Sequence, residues 1–493
     1  MKDYIIINQS DTVGVALKTL KKGEIITINN DTIQLKEDIM QGHKFSLVEI
    51  REKENIVKYG HVIGHASIDI KKGYQVHTHN MKTNLSDALS YEYQPVMPTL
   101  KQSETSYFMG YQRENGAVGV RNEIWLIPTV GCMNSVVKEI ESLSKKYIKE
   151  GLEDIIAFNH PYGCSQMGDD QENTQLILAD LIQHPNAGAV IVMGLGCENS
   201  NIEEIKRHLP SYNEERVKFL VAQEVEDEVE ACLDLIKELV EISCKDQRQK
   251  VSVEKLKIGL KCGGSDGLSG ITANPVVGVF SDLLVSKGGT TILTEVPEMF
   301  GAETILMNRC ETVELFGKTV ELINDFKEYF IQHKQTIYEN PSPGNKEGGI
   351  STLEDKSLGC TQKSGTANIV GVLSYGEICD KAGLNLLSSP GNDLVASTAL
   401  AASGCQIVLF TTGRGTPFAS AVPTMKISSN TELYQKKEKW IDFNAGKAIE
   451  DSTIEETGML LFEEVIAIAS GKKVKSEMAG YHDLAIFKQG VTL

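Results

Sequence analysis

From Phe108 onward the sequence repeats one pattern, in which an apolar segment is followed by a glycine-rich loop and then by a helical stretch. Strands that alternate with helices in this way are typical of an α/β fold with a largely parallel sheet. A long acidic helix is expected over 226–244, and the charged segment 245–255 then joins two α/β regions. The predicted strands are 123–130, 154–158, 187–193, 217–222, 257–261, 290–294, 369–373 and 406–411.

The first 88 residues show a different sequence pattern, in which short β segments are separated by turns rich in glycine, lysine and asparagine. The predicted strands there are 4–7, 24–28, 32–35, 45–48 and 73–76. A stretch with Pro95 and Pro98 and no sustained apolar period follows, which indicates a linker. We therefore predict an all-β domain at 1–88, a linker at 89–107, and α/β regions at 108–248 and 249–493.

Composition and charge limit the classes of protein to which the chain can belong. Hydrophobic residues make up 41% and charged residues 24% of the chain, as in an ordinary globular protein. The net charge of −18 would repel nucleic acid and anionic membrane surfaces. No apolar run is long enough to span a membrane, and the amino terminus lacks the apolar core of a signal peptide. We expect a cytoplasmic protein without nucleic-acid or membrane partners.

Three of the ten cysteines follow a glycine just after a predicted strand: Cys132, Cys164 and Cys197. Because the carboxyl ends of parallel strands meet at one edge of a sheet, these thiols are candidates for one shared ligand. Thiolates in a reduced cytosol suit iron or an iron–sulfur cluster with one open iron site. Buried cysteine is also a common small hydrophobic residue, so a purely structural interpretation stays open.

A second candidate metal pair is His77 and His79, just after a predicted strand of the first domain. Residues at positions i and i+2 of an extended segment point to the same face, so both imidazoles would reach one ion. Two histidines with this spacing also occur by chance, and that alternative remains open.

Polar side chains in glycine-containing loops are candidates for holding an anionic substrate. Guanidinium groups bind carboxylates through two parallel hydrogen bonds, and glycine lets backbone N–H groups approach an oxyanion. Arginines that merely brace a loop are the alternative. The loops match no dinucleotide-binding, Walker or nucleophile-elbow pattern. The candidates are Arg113, Arg121, Asn122, Ser265, Asp266, Lys363 and Arg414.

Six segments read in order closely resemble the altronate/galactarate dehydratase family: 42–45, 76–87, 194–198, 262–275, 293–303 and 413–418. The resemblance implies an amino-terminal SAF-type (β-clip) domain, a large α/β catalytic part, and a hydro-lyase activity that depends on ferrous iron. Segment 76–87 resembles the altronate branch more than the galactarate branch. Relatives include a sulfolactate sulfo-lyase whose two parts are separate chains, and their fusion here weakens that alternative.

The reaction that this resemblance implies is the dehydration of D-altronate to 2-keto-3-deoxy-D-gluconate. It removes the C2 proton and expels the C3 hydroxyl, which requires a general base, a general acid and a cation that neutralises developing charge. We expect Fe²⁺ as cofactor, with Mn²⁺ or an iron–sulfur cluster as alternatives, and His43 or His160 as acid or base. The expected partners are a small sugar acid and a second copy of the chain in a homodimer. The alternative functions are a dehydratase or lyase for another hexonate, for the hexarate galactarate or for sulfolactate, and a sugar-acid-binding protein without catalysis.

Overall fold

The computed structural model describes residues 3–28, 31–86 and 90–493. The first domain consists of short antiparallel strands in three small sheets, ordered β1-β2-β5-β8, β3-β4 and β6-β7-β9. Four of its strands, β2, β6, β7 and β9, were not predicted from the sequence. The strands are β1 Tyr4–Ile5, β2 Val13–Ala16, β3 Ile25–Ile28, β4 Asp31–Gln34, β5 Lys44–Ser46, β6 Asn55–Lys58, β7 His61–Ala66, β8 Gln75–Val76 and β9 Met81–Lys82.

The predicted linker has no regular secondary structure over residues 90–106. It is nevertheless fixed to the last region of the chain, because the Tyr91 hydroxyl donates to Glu303 at 2.6 Å and the Tyr93 hydroxyl donates to the carbonyl of Cys310 at 2.5 Å. The segment therefore runs along the surface of that region as a strap.

The middle region is built on a four-stranded parallel sheet of order β13-β12-β14-β15, with α1 and α4 packed on one face and α2 and α3 on the other. The acidic helix predicted at 226–244 is α4, whose first turn is capped by the Asp227 side chain. The elements are β10 Tyr107–Gln112, β11 Val118–Gly119, β12 Glu123–Pro128, α1 Asn134–Ser144, β13 Asp154–Ala157, α2 Asp169–Ile182, β14 Ala187–Gly194, α3 Ile202–Lys206, β15 Val217–Val221 and α4 Glu228–Ser243.

The charged connection predicted at 245–255 contains a strand, β16 (Arg248–Ser252), which pairs antiparallel with β10. Together with β11 they form a separate three-stranded sheet. The connection between the two α/β regions is thus held by backbone hydrogen bonds.

The third region contains a seven-stranded parallel sheet of order β19-β20-β18-β17-β21-β22-β23. The chain leaves β17 toward β18 on one side and later returns to β21 on the other side, which makes the carboxyl ends of β17 and β21 a topological switch point. Its strands are β17 Lys257–Cys262, β18 Thr290–Leu293, β19 Ile369–Leu373, β20 Gly383–Leu387, β21 Ile407–Thr412, β22 Thr424–Ser428 and β23 Phe443–Asn444.

Nine α-helices accompany this sheet in the described part of the chain: α5 Ala273–Ser286, α6 Glu303–Met307, α7 Val313–Gln332, α8 Pro343–Glu347, α9 Leu353–Cys360, α10 Asp393–Ala402, α11 Thr431–Lys436, α12 Ile454–Ala469 and α13 Lys475–Met478. Buried side chains of the middle and third regions share one hydrophobic cluster that includes Trp125, Ile292 and Leu400. The predicted fold class, a small β-rich domain followed by α/β regions with parallel sheets, is confirmed. None of the helices over residues 3–28, 31–86 and 90–493 is long and apolar enough to cross a membrane.

The first domain is attached to the third region through buried charges. Lys44 and Lys58 each place their Nζ atom against one carboxylate oxygen of Asp355, at 2.8 and 2.9 Å, and all three side chains are buried. Asp355 lies on α9, whose next residue Lys356 contacts Glu298 of the third region. The small domain therefore holds α9 in place.

Candidate functional site

A cavity of about 540 Å³ opens at the switch point of the seven-stranded sheet. Its wall includes the end of β17 with the two glycines that follow, the start of α10, and residues 339–346. Clefts at this position in parallel sheets are the usual place for ligands, because loops and helix amino termini converge there. The charged side chains that line it are Glu298, Glu339, Lys346, Lys356 and Asp393.

Beneath the cavity lies a network of charged side chains, most of them buried. Lys261 contacts Glu295 at 2.9 Å and Asp393 at 2.7 Å, and Lys356 contacts Glu298 at 2.7 Å. Burial by itself would raise the pKa of Glu298, but the neighbouring lysines outweigh it and lower that pKa below its usual range. Burial would lower the pKa of Lys356, and Glu298 reverses this shift and raises it. Both partners are therefore charged at neutral pH.

Glu295, two residues after β18, adopts a left-handed backbone conformation with φ of 68°. A non-glycine residue in this region stores about 1–3 kcal/mol of strain and is typical of functional sites. The strain is retained because the backbone N–H of Cys262 and the Nζ of Lys261 both donate to the Glu295 carboxylate. The adjacent Lys363, predicted to bind substrate, lies 3.8 Å from Glu295 and is itself fully buried within this network.

One group of three potential metal ligands converges in the described part of the chain: Cys262, Glu298 and Cys360, with ligand atoms all within 4.8 Å of one another. The two sulfurs are 3.5 Å apart, and Glu298 Oε2 lies 3.1 and 3.3 Å from them. Two thiolates bound to one tetrahedral ion at about 2.3 Å would be about 3.8 Å apart, so little movement is needed. Two features of the sequence could have identified this pair. Cys262 lies at the end of a strand, and Cys360 follows a glycine, as the three predicted thiols do.

The charge of this group also fits a divalent ion. The hydrogen bond with Cys262 and burial raise the pKa of the Cys360 thiol, so it stays protonated when no metal is bound. Three lysines, at 261, 356 and 363, balance three carboxylates, at 295, 298 and 393. A divalent ion that displaces two thiol protons would leave this balance unchanged. The residues present therefore fit a divalent, thiophilic metal such as Fe²⁺.

The three predicted thiols, Cys132, Cys164 and Cys197, lie at another edge, beyond the carboxyl ends of β12, β13 and β14 in the middle region. All three are exposed. No group of three ligand atoms within 4.8 Å includes them among the described residues. The structure thus brings the thiols to one edge of one sheet, as expected, but not within reach of a single ion.

The predicted histidine pair lies in a turn rather than on an extended strand. β8 ends at Val76, and residues 77–80 form a turn closed by the Asn80 N–H to the carbonyl of His77, so the extended geometry assumed for the pair is absent. His77 Nδ1 lies 3.0 Å from the Ser351 hydroxyl, and burial lowers its pKa to about 4, whereas His79 is exposed. The His77 ring thus faces Ser351, between α8 and α9, and its centroid lies 5.1 Å from that of the His43 ring.

The two predicted acid–base histidines are both engaged in structural contacts. His43 is buried, with its ring nitrogens near the carbonyl of Glu347 and the amide of Gln75, at 3.1 and 2.8 Å. His160 is 2% exposed and uses Nε2 to donate to the carbonyl of Pro128 at 2.7 Å and Nδ1 to accept from the Tyr162 N–H. Neither ring lines the cavity, and the catalytic role expected for them stays a prediction.

Three predicted substrate ligands in the middle region hold the fold together instead. Arg121 is fully buried and donates to Glu477 and to backbone carbonyls. Arg113 donates to the carbonyl of Pro185 and to Asp246, and Asn122 donates to the carbonyls of Gly151 and Ser243. Their polar atoms are already used within the protein, which does not fit substrate binding.

The remaining candidates surround the loop after β17. Asp266 is half-buried and accepts hydrogen bonds from Ser269 and Ser429, so it closes this loop rather than facing a ligand. Ser265 is buried, and its hydroxyl has no hydrogen-bond partner. Arg414 is exposed and pairs with Glu347 at 3.0 Å. None of these three side chains lines the cavity.

Family models match almost the whole chain in three consecutive parts. They are described as altronate/galactarate dehydratase SAF domain at residues 2–84, D-galactarate dehydratase/altronate hydrolase second domain at 110–243, and D-galactarate/altronate dehydratase C-terminal at 253–492. The chain belongs to the altronate/galactarate dehydratase family. The resemblance found in the sequence is therefore confirmed, including the SAF assignment of the first domain.

Individual members of the altronate/galactarate dehydratase family align over the same span. Altronate dehydratase from Bacillus subtilis (strain 168) is 55% identical over 100% of both chains. Altronate dehydratase from Escherichia coli (strain K12) is 50% identical over 99% of this chain and 100% of its own. Galactarate dehydratase (L-threo-forming) from Escherichia coli (strain K12) is 34% identical, with 98% and 96% covered.

Proposed function

We propose that this chain dehydrates D-altronate to a 2-keto-3-deoxy acid in the cavity at the carboxyl ends of β17 and β21. As a member of the altronate/galactarate dehydratase family, the chain is an enzyme of the hydro-lyase class. Altronate is favoured over galactarate because the relatives named for altronate are 55% and 50% identical, against 34% for the one named for galactarate. The observation that supports placing the active site in this cavity is the network of charged side chains and paired thiols beneath it.

The cavity offers groups that suit a polyhydroxy carboxylate. Lys356 is held protonated by Glu298 and lines the wall, so it adds positive charge near the substrate carboxylate while its Nζ atom already donates within the protein. The Asn340 and Asn345 side-chain oxygens accept from the same Nζ atom at 3.0 and 3.4 Å and orient it. The Asn345 amide nitrogen already donates to the carbonyl of Ser265 at 2.8 Å, so Asn340 is the candidate for a substrate hydroxyl. A neutral or anionic ligand would meet no buried unpaired charge here.

Asp393 is the candidate for the proton transfer. Its side chain is 36% exposed at the cavity, and Oδ1 is fixed by the buried Lys261. We assign it to take the C2 proton and return it to the departing C3 hydroxyl, so that one water leaves and the enol product tautomerises to the keto acid. An iron ion held by Cys262, Glu298 and Cys360 would supply a Lewis acid for the substrate oxygens.

The test is an assay of the purified chain with ferrous iron, a thiol reductant and D-altronate, in which 2-keto-3-deoxy acid formation is followed. The panel also contains galactarate, sulfolactate and the other hexonates. Turnover of D-altronate well above every other acid supports the proposal. Preference for another acid, or no turnover of any, contradicts it. Substitution of Mn²⁺ for iron in a parallel assay separates the two metal alternatives.

A further inference from the structure

We propose that Cys132, Cys164 and Cys197 jointly bind an iron–sulfur cluster at the carboxyl edge of the four-stranded sheet. The starting observation is their exposure. These three are the exposed cysteines of the ten in the chain, all of which the structure describes, and the other seven are buried or half-buried. Cysteine is among the residues most often buried, and exposed thiols are reactive, so three at one edge require an explanation.

The sheet places the three thiols side by side. β12, which precedes Cys132, is flanked by β13, which precedes Cys164, and by β14, which precedes Cys197. Neighbouring strands lie about 4.8 Å apart, so the loops that leave them are adjacent. Direct hydrogen bonds join these loops, from the Gly131 N–H to the carbonyl of Tyr162 at 2.9 Å and from the Ser200 N–H to the carbonyl of Gly163 at 3.0 Å.

Glycine before Cys164 is needed for this close approach. Gly163 has φ of 96°, and a Cβ atom there would lie 1.9 Å from the carbonyl oxygen of Thr129. No other residue could occupy this position without moving the loop that carries Cys132. A Cβ atom on Gly131 would likewise lie 2.9 Å from the carbonyl oxygen of His160, so these two glycines let the Cys132 and Cys164 loops pack against each other.

Buried polar side chains then fix the loops. Glu198 accepts from the Leu195 and Gly196 N–H groups and from the Thr129 hydroxyl, which joins the Cys197 loop to the Cys132 loop. His160 donates to the carbonyl of Pro128, and Asn134 donates to the carbonyl of His160, which joins the Cys164 loop to the Cys132 loop. Such fixed placement reduces the entropy cost of collecting three ligands.

The spacing of the thiols favours a cluster over a single ion. At least one pair of their sulfurs is more than 4.8 Å apart, since they form no group within that distance. Two sulfurs on one ion at about 2.3 Å can be at most about 4.6 Å apart. A cluster reaches further because each thiolate binds a different iron. With three thiolates, a four-iron cluster keeps one iron open toward the solvent side of this edge.

The experiment is anaerobic reconstitution of the full chain with ferrous iron, inorganic sulfide and reductant, followed by measurement of iron, acid-labile sulfide and visible absorption. The expected result is about four sulfides per chain, and about four irons in addition to the single iron proposed for the cavity, with the broad visible absorption of a cluster. Cys132→Ser, Cys164→Ser and Cys197→Ser should each lose most of the sulfide. Cys244→Ser is the matched control, because Cys244 lies half-buried after α4, and it should keep all of it.

Alkylation of free thiols gives a second readout that does not depend on a substituted protein. In the reconstituted chain, Cys132, Cys164 and Cys197 should be protected together, and removal of iron should expose all three together. Iron without sulfide, unchanged sulfide in the three variants, or alkylation of these thiols in the loaded chain would overturn the proposal. No readout involves substrate, so failure of the proposed dehydratase activity leaves this test intact. Loss of iron only in Cys262→Ser and Cys360→Ser would likewise assign the metal to the cavity and overturn the cluster.

Discussion

The two parallel sheets present cysteine at the same structural position and surround it in opposite ways. At the four-stranded sheet, the thiols of Cys132, Cys164 and Cys197 are exposed beyond the strand ends. At the seven-stranded sheet, Cys262 and Cys360 are buried among three lysines and three carboxylates beneath a cavity. Cysteine thiols are thus exposed to solvent at the edge of one sheet and buried among charged side chains at the edge of the other.

The difference arises from what covers each edge. Helix α9 lies over the end of β17 and carries both Lys356 and Cys360, and the first domain holds this helix through Lys44 and Lys58 on Asp355. Burial strengthens electrostatic interactions with a bound anion, since water competes less. We therefore assign substrate chemistry to the covered edge and cluster binding to the exposed one.

The largest expected effect is on catalysis at the covered edge. Asp393→Asn keeps the shape of the side chain and removes its basicity, so kcat for the sugar acid should fall by about 10²–10⁴-fold. Asp451→Asn, an exposed position, is the control and should retain full activity. The iron and sulfide content of Asp393→Asn should match that of the unsubstituted chain. A normal kcat in this variant would remove Asp393 from the proposed mechanism.

The next effect is on stability, and it also concerns the covered edge. Lys261→Met leaves Glu295 and Asp393 without their shared partner, and uncompensated buried charge costs about 3–5 kcal/mol. Urea unfolding monitored by circular dichroism measures the change. Lys237→Met removes an exposed pair with Asp234 on α4 and should leave the urea midpoint unchanged. Equal stabilities of the two variants would mean that the network is far more hydrated than its burial indicates.

Much of the fold can be predicted from the pattern of hydrophobic residues, because strands buried on both faces are almost continuously apolar whereas the loops after them are polar and rich in glycine. All eight α/β strands predicted from the sequence are present, within a few residues. Strands such as β20 and β22 were missed because the polar Asn385 and Lys426 interrupt their apolar runs. Lys426 is buried and donates to the carbonyl of Phe418, a tertiary contact that no local pattern reveals.

The site was harder to predict than the fold. From the sequence, Arg121 is a reasonable candidate for binding an anion. Only its hydrogen bond to Glu477 of α13, which is distant in the sequence, shows that it is a structural residue. Cys262 and Cys360 are 98 residues apart, and nothing local brings them to 3.5 Å. The exposed thiols were found because their position depends only on strand ends, whereas the buried pair depends on how α9 packs over the sheet.

A smaller effect is expected when the exposed edge is disturbed. Gly163→Ala would place a methyl group on the carbonyl of Thr129 in a strained backbone conformation, which should cost at least about 2 kcal/mol and abolish cluster sulfide. Gly168→Ala is the matched control, because Gly168 also has positive φ but no atom lies near its Cβ position. Activity of Gly163→Ala toward the sugar acid should fall less than that of Asp393→Asn. Retention of the full cluster in Gly163→Ala would show that the loops need not pack closely.

The smallest effect is a pH dependence that distinguishes two buried histidines. Burial lowers the pKa of His160 to about 4 and that of His184 to about 3, against about 6.5 in the unfolded chain. The unfolded state therefore binds more protons below pH 6.5, and the stability that each neutral ring contributes is lost as the pH falls from 6.5 toward the folded pKa. Between pH 7 and 5 the unsubstituted chain should lose about 2 kcal/mol more than either His160→Gln or His184→Gln. Because His160 joins two thiol loops whereas His184 bonds to the carbonyl of Cys405, only His160→Gln should also lower cluster content. Equal cluster content in both variants would show that the His160 hydrogen bonds are not needed to hold the thiol loops. Glu198 would then be the main residue that fixes these loops.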